Sequence, residues 1–301
     1  MFGGYIIMIR KEWSLIVNSL MVQLAAGMYT CLAVYRVILE QQIGREAAIT
    51  LTDPGMVMAG PILLFGMVAS LFHLGNPARA YRSVTNIWTS WLSREIFFTG
   101  VFFVLWFVTH VMGINGHNHF LMTFLTVVAG LSAVVSMASI YYSTGKPGWA
   151  SQNTYTDFLG TTVIFGIVSA TVILYTRGAA LEYSKNGLLI APAILAVFIL
   201  LIRCMEQINL MPSLTIDDNV LSLDNLVSAE PMAKKSAGMY KSLTLWGMTC
   251  SSIGICLVLF MLIAGHLIRG GLIIIVSALV VFMGEFLVRS GFYSLGQNEN
   301  K

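Results

Sequence analysis

The chain has 301 residues, 57% of them hydrophobic and only 10% charged, with a mean hydropathy of +0.79. So apolar a composition excludes an ordinary globular domain, which cannot hide that much greasy surface in one aqueous core. The formal charge of +3 is too small to suggest a nucleic-acid partner.

In chain order the apolar residues form eight blocks, near 14–38, 54–73, 94–112, 119–142, 157–176, 187–205, 243–268 and 271–291. Each is roughly 18 to 25 residues, the length a helix needs to cross about 30 Å of hydrocarbon. The expected fold is therefore an all-α polytopic membrane protein, a single integral-membrane unit over 1–301 with about eight transmembrane helices in a bundle. Arg10 and Lys11 before the first block resemble the start of a signal peptide. The run that follows is too long and has no clear small-residue cleavage site, so it is read as a retained span.

An even number of spans puts both chain ends on one membrane face. Short connectors such as "GINGHNH" (113–119) and "GHLIRGG" (265–271) make their flanking spans antiparallel neighbours. Two connectors are longer, 74–93 and 207–242, and long loops are where function or partner docking tends to sit. The second mixes Asp217, Asp218, Asp224 and Glu230 with Lys234, Lys235 and Lys241, which suits either a solvated extramembrane linker or a protein partner. Lysines and arginines divide 12 to the face of the chain ends and 5 to the other, which by the positive-inside rule makes the ends cytoplasmic.

Cys31, Cys204, Cys250 and Cys256 form no C-x-x-C pair, which argues against a disulfide framework, an iron–sulfur cluster or a zinc site in this chain. A membrane haem needs two imidazoles facing each other across a bundle. His117 and His119 lie in a short connector, while His110 and His266 belong to the face opposite His73 and follow no pairing rule. The chain is read as carrying neither haem nor cluster, so it cannot relay electrons across the bilayer. It can hold a lipid-soluble two-electron carrier near one surface.

The residues for that task gather around the connector 74–93. His73 closes the second span beside the Gly75-Asn76-Pro77 turn, where Pro77 forbids helix continuation. Glu95 opens the third span. Because the two spans are antiparallel, His73 and Glu95 are expected at one membrane face, with Arg79 and Arg82 nearby. Ser93 is read as the N-cap of the third span, putting Glu95 in its first turn, where the helix dipole favours a carboxylate. Glu12 belongs to the same face, next to Trp13 as an interfacial anchor. In the eighth span Glu285 and Arg289 stand four residues apart and are read as a pair that neutralises itself within the membrane.

Three stretches carry a family resemblance. "HLGNPARAYRSVTNIWTSWLSREI" (73–96) resembles the signature of the membrane-anchor subunits of dimethyl sulfoxide reductases, the DmsC family: a histidine–leucine–glycine–x–proline turn, an arginine and a following serine–x–glutamate. "GEFLVRSGFY" (284–293) resembles the last span of that family, and "KEWSL" (11–15) its first, with Lys11 where family members often have histidine. The resemblance implies an eight-helix anchor in the bacterial inner membrane. Such an anchor oxidises menaquinol and passes electrons to an iron–sulfur subunit, which feeds a molybdopterin catalytic subunit; it carries no terminal-reduction chemistry itself. It ties His73 and Glu95 to quinol binding and matches Arg79, whereas Arg82 stays an inference from position. It also puts the chain ends on the outer face, against the charge count. The alternatives are a polysulfide-reductase-type quinone-reactive anchor and a small-solute transporter. The terminal acceptor, dimethyl sulfoxide or another sulfoxide or N-oxide, is left open, because its pocket belongs to another polypeptide.

Overall fold

A computed structural model describes residues 2–72, 86–114, 120–146, 149–180, 186–213, 226–264 and 271–295, with side chains for 12–72, 86–114, 120–146, 149–177, 188–207, 238–263 and 271–295. Among these residues the chain is all helical. The elements are α1 (Phe2–Ile43), α2 (Arg45–Leu71), α3 (Trp91–Ile114), α4 (Phe120–Tyr142), α5 (Asn153–Ala180), α6 (Asn186–Ser213), α7 (Leu226–Ala264) and α8 (Gly271–Ser294). All eight are long and apolar enough to cross a bilayer, as expected from the sequence.

The helices outrun their apolar blocks. α1 continues to Ile43 and α2 starts at Arg45, leaving Gly44 as the whole connector. Its φ of 84° is a left-handed conformation that glycine adopts without steric cost, and its carbonyl accepts the Ala48 N–H at 3.1 Å. α6 likewise runs to Ser213 and α7 begins at Leu226, so both helices extend into the interval 207–242.

Burial ranks the helices by position. In α1 and α5, 67% of the residues in the most apolar window are buried, against 17% in α3, so α1 and α5 are central and α3 peripheral. The two central helices run parallel with their backbones nearly touching. A Cβ on Gly27 would collide with the Thr162 carbonyl, and one on Gly166 would lie 2.5 Å from the Gly27 carbonyl. Lipid tails are as apolar as leucine, so close backbone packing of this kind replaces the hydrophobic effect as the force between helices. The antiparallel α7 and α8 repeat the device: a Cβ on either Gly247 or Gly284 would lie 2.6 Å from the other's carbonyl oxygen.

The remaining packing is a continuous apolar interior. Ile16, Leu20 and Leu32 of α1 meet Leu51 and Leu63 of α2, Phe102 of α3 and Phe158 of α5. A smaller cluster joins Ile164 and Ile167 of α5 to Leu200 of α6, Ile255 of α7 and Val281 of α8. α3 lies against α2 more lightly, held where the Trp106 indole donates to the Met56 carbonyl at 2.9 Å. These contacts bring the starts of the odd-numbered helices and the ends of the even-numbered ones to one face.

Candidate functional site

That face is organised by the first turns of α1 that have described side chains. Trp13 packs its ring on Phe72, just past the end of α2, with centroids 5.5 Å apart. One turn further on, the Asn18 side-chain amide donates to Glu95 Oε1 at 3.4 Å. The segment from Trp13 to Asn18 therefore touches both the point where the described chain leaves α2 and the carboxylate near the start of α3. His73, the next residue after Phe72, lies outside the described residues, as do Arg79 and Arg82. Glu12 is half-buried just before Trp13.

The local reason for the position of Glu95 differs from the sequence expectation. α3 begins at Trp91, and the Ser93 N–H donates to the Ser90 hydroxyl at 3.4 Å, so Ser90 rather than Ser93 caps the helix. Ser93 is already inside the helix and 3% exposed. Glu95 lies beyond the first turn, where the dipole acts most strongly; Asn18 of the neighbouring helix holds it instead. Arg94 fastens the turn before α3, donating to the carbonyls of Ile87 and Trp88 at 2.9 Å each and lying 4.1 Å above the Trp91 ring. Trp13, Phe72, Trp88 and Trp91 are all exposed there, the aromatic rim expected at a membrane–water boundary.

Inward from Glu95 the interior becomes aromatic and then charged. The carboxyl lies within electrostatic reach of Tyr141 and Tyr293. Their hydroxyls hydrogen-bond to each other at 2.7 Å, joining α4 to α8. Tyr141 meets Trp149, Phe292 and Tyr293 edge-on and stacks on Phe158, and the Trp149 indole donates to the Phe292 carbonyl at 2.9 Å.

The pairing expected between Glu285 and Arg289 is not made. Arg203 of α6 reaches both Glu285 oxygens with Nη1 at 3.0 Å and Asp157 of α5 with Nε at 3.3 Å. Thr161 and Ser251 also donate to Glu285, at 2.7 and 3.1 Å, and Gln207 donates to Asp157 at 3.3 Å. Arg289 points elsewhere on α8. It donates to Gln23 of α1 at 3.2 Å and lies 3.6 Å over the Phe158 ring. Charges this deep need several partners at once, and the inter-helix set supplies more hydrogen bonds than the i,i+4 pair could.

Sequence reasoning missed Arg203, Asp157, Asn18, Gln23, Tyr141 and Tyr293. For Arg203 the signal was present, an arginine inside the apolar stretch "ILLIRCMEQ" (199–207). Among the described residues no group of three or more His, Cys, Asp or Glu side chains could hold a metal ion.

The fold and this face define a polytopic helical membrane subunit with a polar site near one surface. More narrowly, the chain belongs to the DMSO reductase anchor subunit (DmsC) family, whose model matches residues 8–295. It is 26% identical over 295 residues to the anaerobic dimethyl sulfoxide reductase chain YnfH of Escherichia coli, covering 94% of each chain. It is likewise 26% identical over 292 residues to a second anaerobic dimethyl sulfoxide reductase chain of that organism, again covering 94% of each. A shorter likeness, 50% identity over 42 residues, links it to a sulfite dehydrogenase subunit of Allochromatium vinosum, over 14% of this chain and 13% of that one.

Proposed function

We propose that this anchor subunit binds menaquinol at the face carrying Glu95 and passes its electrons to an iron–sulfur subunit that feeds a molybdopterin catalytic subunit, in the inner membrane of a bacterium. The carrying observation is the Asn18–Glu95 contact. It holds a half-buried carboxylate of α3 against α1, on the face to which the end of α2 also comes.

Oxidising a quinol to a quinone releases two electrons and two protons, so the site needs an acceptor for each ring hydroxyl and a route to water. Neutral His73 accepts a hydrogen bond from one hydroxyl, and Glu95 takes the proton from the other or passes it on. Asn18, donating to Glu95, leaves the second carboxylate oxygen for the substrate. Arg79 and Arg82 hold Glu95 ionised or meet the partner subunit. Ser93 supports the start of α3 from inside the helix. Glu12 is a further acidic group at the water boundary, while Glu285 and Arg289 brace the helices behind the site. The electrons leave through the iron–sulfur subunit.

The test is His73→Ala and Glu95→Gln in the assembled complex. Quinol-dependent reduction is lost in both, while membrane assembly and dye-linked activity of the catalytic partner stay at wild-type levels. Normal growth on the quinol-linked pathway in either variant refutes the assignment.

The likeness to a sulfite dehydrogenase subunit favours one second reading, the same site run in reverse as a quinone reductase. The same two side chains would then donate protons to a reduced quinone. Steady-state assays in both directions on the isolated complex, with a quinol and with a quinone, separate the two.

A further inference from the structure

The hydroxyl pair of Tyr141 and Tyr293 lies behind Glu95 and has no part in the chemistry proposed for His73 and Glu95. Its oxygens are 2.7 Å apart, so one hydroxyl donates to the other, and the distance alone leaves the donor open. The surrounding charges choose it. Arg289, one turn before Tyr293 on α8, lies over the Phe158 ring on which Tyr141 also stacks. It donates to the neutral Gln23, while its Nε and Nη1 meet no acceptor among the described residues. Asp157 and Glu285 act on it through space but are bonded to Arg203. For Tyr293 the charge of Arg289 outweighs that of Glu95, and for Tyr141 that of Glu95 outweighs that of Arg289. The pair therefore stands between a cation behind Tyr293 and a carboxylate in front of Tyr141.

A hydroxyl in such a field turns its oxygen to the cation and its hydrogen to the anion. Both charges favour the same order, in which Tyr293 donates to Tyr141 and the Tyr141 hydrogen is directed to Glu95. An arginine has no acceptor, so the reverse order would aim a hydrogen at a group that has only hydrogens to offer. The competing acceptor is Ser19 of α1, within hydrogen-bonding reach of Tyr293 and itself donating to the Ile16 carbonyl at 3.0 Å. An order that ends on that neutral oxygen forgoes the stronger interaction with a carboxylate. Among the described residues no further ionisable group acts on Glu95. Toward it α1 presents the neutral Asn18, α4 Tyr141 and α8 Tyr293, while Arg94 of its own helix is committed to the Ile87 and Trp88 carbonyls. The described end of α2 carries no ionisable side chain; His73, Arg79 and Arg82 lie outside the described residues.

We propose that the Tyr141–Tyr293 pair, polarised by Arg289, keeps Glu95 ionised between turnovers, so that the carboxylate is ready to take a proton from the quinol. The two tyrosines are positioning residues that act through Glu95, and the inference rests on reading Glu95 as the proton acceptor. Removing a hydroxyl makes the carboxylate easier to protonate, and a protonated carboxyl cannot act as the base. In the assembled complex the acid limb of the pH profile of quinol oxidation moves upward by about one pH unit in Tyr141→Phe, about a tenfold change in the protonation equilibrium. Tyr293→Phe moves it in the same direction by less. The double variant moves it no further than Tyr141→Phe, because Tyr293 acts only through Tyr141. It also leaves neither hydroxyl without its partner, and serves where a single variant assembles poorly. A second readout needs no quinol: an infrared pH titration of the complex follows the carbonyl band of protonated Glu95, identified by its loss in Glu95→Gln. The midpoint of that band moves by the same amounts in the same three variants. An unmoved limb and band in Tyr141→Phe, or a double variant shifted by the sum of the two single ones, overturns the proposal. Normal quinol turnover in Glu95→Gln overturns the reading of the site instead, and the infrared band then decides on the tyrosine pair by itself.

Discussion

Replacing Arg203 by methionine tests whether the charged interior is held together by that one side chain. Arg203 is 1% exposed and lies 3.0 Å from Glu285 and 3.3 Å from Asp157, whose side chains are 1% and 10% exposed. Methionine keeps most of the volume but leaves two buried carboxyls without their cation. Removing one partner of a buried pair costs about 3–5 kcal/mol, because the remaining charge has no compensation. In a bilayer the unfolded helices also find polar partners, which draws the expected loss toward the lower end, about 3 kcal/mol. Thr161, Ser251 and Gln207 keep their hydrogen bonds to the carboxyls and offset a small part of it. The assay is reversible unfolding of the purified subunit in mixed micelles with increasing denaturing detergent, followed by circular dichroism. The triple variant Arg203→Met, Asp157→Asn, Glu285→Gln removes all the charges together and recovers most of the loss. A single variant within about 1 kcal/mol of wild type, or a triple variant no more stable than the single one, refutes the reasoning.

Two other substitutions probe the site and the packing that positions it. Asn18→Leu removes the donor that orients Glu95, and quinol-linked turnover falls by about 10- to 100-fold while dye-linked activity of the complex is unchanged; steady-state kinetics with a soluble quinol analogue check this. Gly27→Ala puts a methyl group against the Thr162 carbonyl at the α1–α5 contact, where only backbone movement relieves the clash. It destabilises the subunit by about 1–3 kcal/mol, read by the same detergent unfolding.

The eight spans were legible because each crossing of hydrocarbon demands its own run of apolar residues, whatever its neighbours are. Helix ends were less so. Arg45, Glu46 and Asp53 look like a polar connector, yet they belong to α2, where the Asp53 carboxylate is answered by Arg36 across a one-residue turn. At the start of α3 two serines three residues apart could each serve as a cap, and only the observed bond chooses Ser90. The interior charges show where a single sequence stops informing. Glu285 and Arg289 share a helix, so their pairing suggested itself. Which of the other seven helices stands beside each of them is set by packing, and that placed Arg203 against Glu285 and Gln23 against Arg289. Glu95 was found by its closeness to the turn after the second span, whereas Asn18, an unremarked polar residue in the first span, acquires meaning only once the fold brings the start of α3 to α1.

The central place of α1 also bears on how the subunit is made. α1 leaves the ribosome before the other seven helices, yet its neighbours include α2, α4, α5 and α8. Gln23 meets its guanidinium partner only when Arg289 arrives, 266 residues later. Until then the Gln23 side chain lacks the partner it has in the finished bundle. Assembly therefore finishes at the centre of the bundle rather than at its edge. A chain that stops short of α8 lacks not an outer strut but the closing piece of its own interior.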